Sequence, residues 1–189
     1  MTADEDLPII ALDIDGVLSP ILKNEDWEGE NAYRWEKLAN RTHPFDAERN
    51  HSPWIKTDCM DAYVAEPVAD FLRDVACRRR ARIMWHSTWG KRAKAFEKAL
   101  NLPSFEVLYN TYSRPFREDR WEKLVDIEAL LERGHRVIWL DDHITPESVP
   151  QHVLDNLDLL CIAPGPGDEV GLTPNHLYLI DRQLKVWGF

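Results

Sequence analysis

Aspartate residues directly follow two short apolar runs in this sequence. Asp13 and Asp15 follow the run Leu7–Leu12, and the paired acids Asp141 and Asp142 follow a similar run more than a hundred residues later. Carboxylates that are held close together repel one another and resist ionisation, and a divalent cation relieves that repulsion. Hard oxygen ligands of this kind favour Mg²⁺. The four acids therefore predict a magnesium site, provided that the fold brings the two runs together.

Hydroxyl side chains follow a third apolar run. The run Arg82–His86 leads directly into Ser87 and Thr88, and Trp89 comes next. Hydroxyl groups at such a position can donate hydrogen bonds to an anionic ligand. We therefore expect acids and hydroxyls to share one site.

The elements that must position these residues are short strands alternating with helices. Apolar runs of this length indicate buried strands, and apolar residues at helical spacing indicate helices between them. Alternation of this kind predicts an α/β fold, a Rossmann-like three-layer αβα sandwich with a mainly parallel central sheet. Ligands of such sheets bind beyond the carboxyl ends of the strands, which is where the acids and hydroxyls fall. The predicted strands are Leu7–Leu12, Arg82–His86 and Val137–Leu140, with weaker candidates at Phe105–Tyr109 and Leu157–Ala163.

Four segments carry the apolar spacing of helices. The first runs from Val64 to Val75 with Pro67 in its first turn, where proline is tolerated. The third is closed by Gly134 as a C-cap, and Thr173 and Pro174 open the last. Their apolar positions are Val64, Val68, Phe71, Leu72 and Val75; Ala93, Phe96 and Leu100; Trp121, Leu124, Val125, Ile127 and Leu131; and Leu177, Ile180 and Leu184.

Length and charge limit the classes of function. The chain has 189 residues, which suits one domain over 1–189, and its formal net charge is −10. That balance argues against extended nucleic-acid binding and against binding to an anionic membrane, because both need a positive surface. No apolar stretch is long enough to span a bilayer. Three cysteines without a Cys-x-x-Cys pair, and no targeting signal, favour a reduced, cytoplasmic protein.

With these elements in order, the sequence resembles the haloacid dehalogenase (HAD) superfamily of phosphohydrolases. The family's first signature is an apolar strand followed by Asp-x-Asp-Gly, and its second is an apolar strand that ends in Ser or Thr. The third is a lysine on the helix before the strand that carries the fourth signature, a pair of acids. The matching residues are Ile9–Leu18 with Asp13, Asp15 and Gly16; Arg82–Ser87; Lys123; and Val137–Asp142.

The resemblance implies a catalytic role for each acid. Asp13 would be the nucleophile that forms an aspartyl-phosphate, and Asp15 would protonate the leaving oxygen and then activate water. Mg²⁺ would be held by Asp13, the backbone carbonyl of Asp15 and Asp141, while Asp142 would bind the metal or its water. Lys123 would balance the carboxylates and hold phosphoryl oxygens.

The resemblance also implies substrate contacts. Ser87 would hold the phosphoryl group, and Thr88 is the alternative hydroxyl. Gly16 would let the backbone leave the strand sharply beside the phosphate. Trp89 is best placed of the nearby tryptophans to stack on a base or an aromatic leaving group, although packing between sheet and helix is the competing explanation. Lys91 and Lys94 compete with Lys123 for the lysine role.

The segment Ser19–Asp61 interrupts the alternation of strands and helices, and we interpret it as an insertion after the first strand. In the superfamily, segments at this point form a cap or flap, so we expect over 19–61 either a small lid or an extended loop with one helix near Glu30–Asn40, and an open site. Side chains there could either reach substrate or pack on one another. They are Trp27, Tyr33, Arg34, Trp35 and Lys37.

The resemblance therefore implies a Mg²⁺-dependent phosphatase that hydrolyses a phosphomonoester through an aspartyl-phosphate. The substrate would be small and phosphorylated, including a nucleotide or a nucleic acid end. A nucleic-acid-end phosphatase acting on 5′ or 3′ phosphates, or a phosphotransferase, is the alternative within the same site. A non-catalytic regulatory protein that binds metal or phosphate is the alternative from another class.

Overall fold

The central sheet has five parallel strands, and the strand that carries the first pair of acids lies in the middle. A computed structural model describes residues 6–20, 35–38, 62–109, 121–165 and 171–189. Strand β1 (Ile9–Leu12) pairs on one side with β4 (Arg82–Trp85) and on the other with β6 (Val137–Leu140). The edge strands are β5 (Glu106–Val107) beside β4 and β7 (Leu159–Ile162) beside β6. All five strands coincide with predicted strands; β6 has the predicted bounds and the other four are shorter.

Helices cover both faces of this sheet. The helices are α1 (Glu66–Cys77), α2 (Lys94–Ala99) after a 3₁₀ turn at Gly90–Ala93, α3 (Glu122–Glu132), α4 (Gln151–Leu154) and α5 (Pro174–Val186). Successive side chains of β1 point to opposite faces. Ile10 and Leu12 pack with α1, α2 and α5, whereas Ile9 and Ala11 pack with α3 and α4. These two separate cores confirm the three-layer αβα sandwich.

Local sequence signals explain where two of the helices begin and end. Thr173 caps α5, since its hydroxyl accepts from the backbone N–H of His176 while the His176 ring accepts from the backbone N–H of Thr173. Helix α3 ends before Gly134, whose φ of +81° is the left-handed conformation that glycine adopts easily. Both ends confirm the sequence prediction.

Two predictions about local structure are wrong. Val64 does not begin a helix but lies in β3 (Ala62–Ala65), which leads directly into α1. The helix expected near Glu30–Asn40 is also replaced, because Trp35–Leu38 forms strand β2, antiparallel to β3. Backbone pairing to a strand distant in sequence overrides the local helical spacing here. The rest of the expected lid, with Trp27, Tyr33 and Arg34, lies outside the described residues.

Within the described ranges, none of the helices has the length and apolar character needed to cross a bilayer.

Candidate active site

The strand register brings the predicted acids to one edge of the sheet. Leu12 of β1 is level with Trp85 of β4 and with Leu140 of β6, so the residues that follow these three emerge side by side. The backbone N–H of Asp13 donates to the Leu140 carbonyl at 3.0 Å. The carboxyl ends of the three central strands therefore present the three acidic and hydroxyl motifs together, as the sequence predicts.

Lys123 joins two of these strand ends. It is the second residue of α3, it is buried, and its Nζ lies 2.5 Å from Asp13 Oδ2 and 2.6 Å from Asp141 Oδ2. Burial by itself lowers the pKa of Lys123, but the charges of Asp13 and Asp141 outweigh that effect and the pKa is raised. The ammonium group is therefore held protonated between two carboxylates. By contrast, Lys91 and Lys94 are exposed, and Lys94 bonds to Ser104.

Asp13 and Asp141 are both held by the backbone as well. Oδ1 of Asp13 accepts from the N–H of Ile14 at 2.7 Å, and Oδ1 of Asp141 accepts from the N–H of His143 at 3.0 Å. Burial raises the pKa of Asp141 to about 6; the Lys123 ammonium opposes this shift and the Asp13 charge adds to it. Burial therefore sets the direction of the shift in the pKa of Asp141, while Lys123 favours its ionised form.

The loop after β1 turns sharply against the loop after β6. Gly16 has a φ of +71°, and a Cβ at this position would lie 2.5 Å from Asp142 Oδ2. The same loop is held from the other side, because the backbone N–H of Leu172 donates to the Val17 carbonyl at 2.9 Å. A Cβ on Gly171 would lie 2.9 Å from that carbonyl oxygen. Glycine at 16 therefore permits the close approach of this loop to Asp142, and glycine at 171 permits the close approach of residues 171–172 to the Val17 carbonyl.

Asp15 lies at the open side of the group. Its side chain is exposed, and its Oδ2 accepts a hydrogen bond from the indole Nε1 of Trp89 at 2.8 Å. Loss of hydration raises the pKa of Asp15; the nearby charges of Asp13 and Asp142 add to this, and the hydrogen bond from Trp89 opposes it. A carboxyl group with a raised pKa retains a proton to higher pH and can give it up.

The two candidate hydroxyls differ in burial. Ser87 is buried at the end of β4, where its Oγ accepts from the backbone N–H of Trp89 at 3.4 Å. Thr88 is exposed. Ser87 follows the end of β4, which lies level with Asp13. This position favours Ser87 over Thr88 as the hydroxyl that binds a ligand at that edge of the sheet.

Asp126 and His143 are neighbours of the site that the sequence argument did not assign. Asp126 lies three residues after Lys123 on α3, and its carboxylate is 3.5 Å from Nε2 of fully buried His86. The signal for Asp126 was its helical spacing from Lys123, which places both side chains on one face. Nδ1 of His143 lies 2.9 Å from Asp142 Oδ1.

The donor set at this edge suits a hard divalent cation. Carboxylates of Asp13, Asp141 and Asp142 provide oxygen ligands, and a divalent cation would offset the repulsion by Asp13 that adds to the raised pKa of Asp141. Among the residues described, Asp141, Asp142 and His143 also offer ligand atoms that lie within 4.8 Å of one another. The chemistry of these residues fits Mg²⁺.

Comparison with known proteins identifies one match. A family model described as the HAD domain in Swiss Army Knife RNA repair proteins matches residues 9–175, which include all four motifs. No curated protein and no solved structure matches the chain.

Proposed function

Because the chain belongs to the family of HAD domains in Swiss Army Knife RNA repair proteins, we propose that it is a phosphatase acting on phosphomonoesters. The observation that carries the proposal is the contact of buried Lys123 with both Asp13 and Asp141. This contact brings together in one site a carboxylate nucleophile, a cationic group for phosphoryl oxygens and further acids. Those are the groups that phosphoryl transfer through a covalent intermediate requires.

The nucleophile in this proposal is Asp13. Its Oδ1 is engaged by the Ile14 N–H and its Oδ2 by Lys123, so the carboxylate is fixed in orientation at the end of β1. One of its oxygens forms a bond to phosphorus, and the bond between phosphorus and the ester oxygen breaks. The product on the protein is an aspartyl-phosphate, and the alcohol leaves with a proton from Asp15.

Asp15 acts in both halves of the reaction. In the second half it accepts a proton from water as the water oxygen bonds to phosphorus and the bond to Asp13 breaks. The products are inorganic phosphate and free Asp13, and Asp15 is protonated again. The raised pKa of Asp15 supports this role, because it keeps the protonated form available closer to neutral pH.

Substrate binding falls to groups around the strand ends. Lys123 and Ser87 hold phosphoryl oxygens, with Thr88 as the alternative hydroxyl. Glycine at 16 lets the backbone of this loop lie directly against Asp142, where a side chain would not fit. Trp89 lies at the mouth of the site through its contact with Asp15.

Mg²⁺ would be held by Asp13, Asp141, Asp142 and the backbone carbonyl of Asp15. When bound, it supplies positive charge that offsets repulsion between the anionic nucleophile and the anionic phosphate. The remaining positive charge at the strand ends comes from Lys123, which stays protonated because both of its partners are carboxylates.

The favoured substrate is the phosphorylated end of a nucleic acid. The family description names RNA repair proteins, and removal of a terminal phosphate is a reaction class that strand repair requires. Exposure of Asp15 is consistent with an open mouth that admits the last nucleotide of a strand. The net charge of −10 limits the contact to a short terminus. The insertion at 19–61 is proposed as a small cap over this mouth.

Phosphate release from a panel of substrates tests the proposal. Mononucleotides are compared with 5′- and 3′-phosphorylated RNA and DNA oligonucleotides, with Mg²⁺ and with EDTA. We expect Mg²⁺-dependent release, faster from a strand end than from the mononucleotide, and none from Asp13→Asn. Transfer of phosphate to an alcohol would indicate the phosphotransferase. Metal binding without release from any substrate would instead support the non-catalytic binding protein.

A further inference from the structure

The indole of Trp89 is bonded to the carboxyl group that serves as the acid and base of the proposed reaction. Nε1 of Trp89 lies 2.8 Å from Asp15 Oδ2. This hydrogen bond connects the ends of two adjacent strands, because Trp89 follows β4 and Asp15 follows β1. We propose that Trp89 is a positioning residue, which holds one oxygen of Asp15 so that the other carries the transferred proton. The inference rests on the proposed function and adds a residue to it.

The chemistry of the indole assigns the two oxygens of Asp15. An indole N–H only donates hydrogen bonds, so Oδ2 of Asp15 acts as the acceptor. The proton that leaves with the alcohol is therefore carried by Oδ1. A carboxyl group held in this way presents the same oxygen to the substrate in every turnover.

Asp15 needs such a restraint because its side chain is exposed. An exposed side chain samples several rotamers, and holding it in one rotamer costs conformational entropy. Nearby charges do not supply the restraint, since Asp13 and Asp142 repel the ionised form of Asp15 and together exceed the attraction of Lys123. A neutral donor fixes the group in both of its protonation states.

Trp89 is itself held in place by contacts with Phe96 and Arg92. Its ring meets Phe96 edge to face, with centroids 5.3 Å apart and planes at 81°. The Arg92 guanidinium lies over the indole at 5.9 Å from the centroid, and Arg92 Nε donates to the Trp89 carbonyl at 3.2 Å. Arg92 covers part of the indole ring, and Asp15 accepts the hydrogen bond from the indole N–H. We therefore assign to Trp89 the role of positioning Asp15 rather than that of stacking on a base.

Leaving groups of different basicity test this role. Trp89→Phe keeps an aromatic ring against Phe96 and Arg92 but removes the donor. Release of the alcohol in a single turnover is measured with a nucleoside 5′-monophosphate, whose leaving alkoxide needs a proton, and with p-nitrophenyl phosphate, whose leaving group does not. We expect the nucleotide rate to fall at least ~10-fold and the p-nitrophenyl rate to change less than about threefold, since general acid catalysis contributes roughly 10²–10⁴.

Trp121→Phe is the matched control, because Trp121 is also partly buried but stacks on Trp139 at 4.8 Å. It should leave the ratio of the two rates unchanged. An equal fall with both substrates in Trp89→Phe would mean a structural role, and unchanged rates would mean no role; either result overturns the inference. Absence of turnover by the wild type with all substrates would instead remove the proposed function, and this inference with it.

A measurement without turnover covers the case in which Trp89→Phe fails to fold. The indole N–H signal of Trp89 in a ¹⁵N-labelled wild-type protein is compared with that of Asp15→Ala. We expect the signal to move upfield and to exchange faster with solvent when the acceptor is removed. A signal that does not change would show that the hydrogen bond is absent in solution.

Discussion

Gly16 and Asp142 lie so close together that no side chain fits between them. A Cβ on Gly16 would be 2.5 Å from Asp142 Oδ2 and 2.7 Å from its Cγ. The turn that carries Asp15 is therefore packed directly against the second acid of the pair after β6. Both loops must hold their conformations for either acid to be in place.

Gly16→Ala should destabilise the protein and disturb the site. Alanine at a φ of +71° costs about 1–2 kcal/mol, and the contact with Asp142 adds about 1–3 kcal/mol. Gly134→Ala is the control, since Gly134 has a φ of +81° but nothing within 4 Å of its Cβ position. Urea unfolding and phosphate release are measured for both. Equal losses of stability in the two variants would contradict the close contact.

Lys123→Met should unfold the protein more easily and abolish phosphate release. The substitution leaves two buried carboxylates without their shared cation, a change that costs about 3–5 kcal/mol. Exposed Lys98 on α2 provides the control, because Lys98→Met removes an equal charge from the surface. Denaturation at pH 7 and at pH 5 is compared. The loss should be smaller at pH 5, where Asp141, with a pKa of about 6, takes up a proton; a loss independent of pH would argue against charge as its cause.

Asp141 should make the metal-free protein less stable as the pH rises from about 4 to 7. Its folded pKa of about 6 lies above the ordinary value of 3.8, so in this range the folded state keeps a proton that the unfolded chain has lost. The effect is on the order of 2–3 kcal/mol. It is measured as the difference in free energy of unfolding between the wild type and Asp141→Asn across this range.

The difference in free energy of unfolding between the wild type and Asp141→Asn isolates the contribution of Asp141. His86 has a lowered pKa because of its burial, which acts in the opposite direction, but both proteins contain it. Added Mg²⁺ should raise the melting temperature of the wild type at pH 7 and raise that of Asp141→Asn much less. A difference that stays constant with pH would contradict the raised pKa of Asp141.

Ser87→Ala should weaken catalysis, and Thr88→Ala should not. Loss of one hydrogen bond to a charged phosphoryl group costs about 1.5–3 kcal/mol, which corresponds to roughly 10–100-fold in kcat/KM. Ser87 is buried at the strand end and Thr88 is exposed, so each substitution is the control for the other. Steady-state kinetics on one phosphomonoester decides between them. The reverse ranking would assign the hydroxyl role to Thr88.

Residues with strong local signals were predictable from sequence. Each strand of the central sheet is a short apolar run, and Asp13 and Asp141 follow such runs directly, so the parallel arrangement alone brings them together. The role of Lys123 was implied by the resemblance to the HAD superfamily, which has a lysine on the helix before this strand, and not by a local signal. The Thr173 cap and Gly134 follow from local backbone preferences.

Other features depend on contacts between distant parts of the chain. Strand β2 forms because its backbone pairs with β3, about 27 residues later, and helical spacing in its own sequence gives no sign of this partner. The bond from Trp89 to Asp15 depends on how the 3₁₀ turn after β4 directs one side chain. The direction of the Trp89 side chain cannot be predicted from residue types or from their spacing.

The hydrogen bond from Leu172 to the Val17 carbonyl has a consequence for biosynthesis. The loop that carries Asp15 and Gly16 is made well before its backbone partner, because most of the domain lies between Val17 and Leu172 in the sequence. The nascent chain therefore cannot complete this loop until residues 171–189 have emerged and α5 has docked. If the proposed function holds, phosphatase activity should appear only after these residues have left the ribosome, so shorter nascent chains would not act on phosphorylated ends.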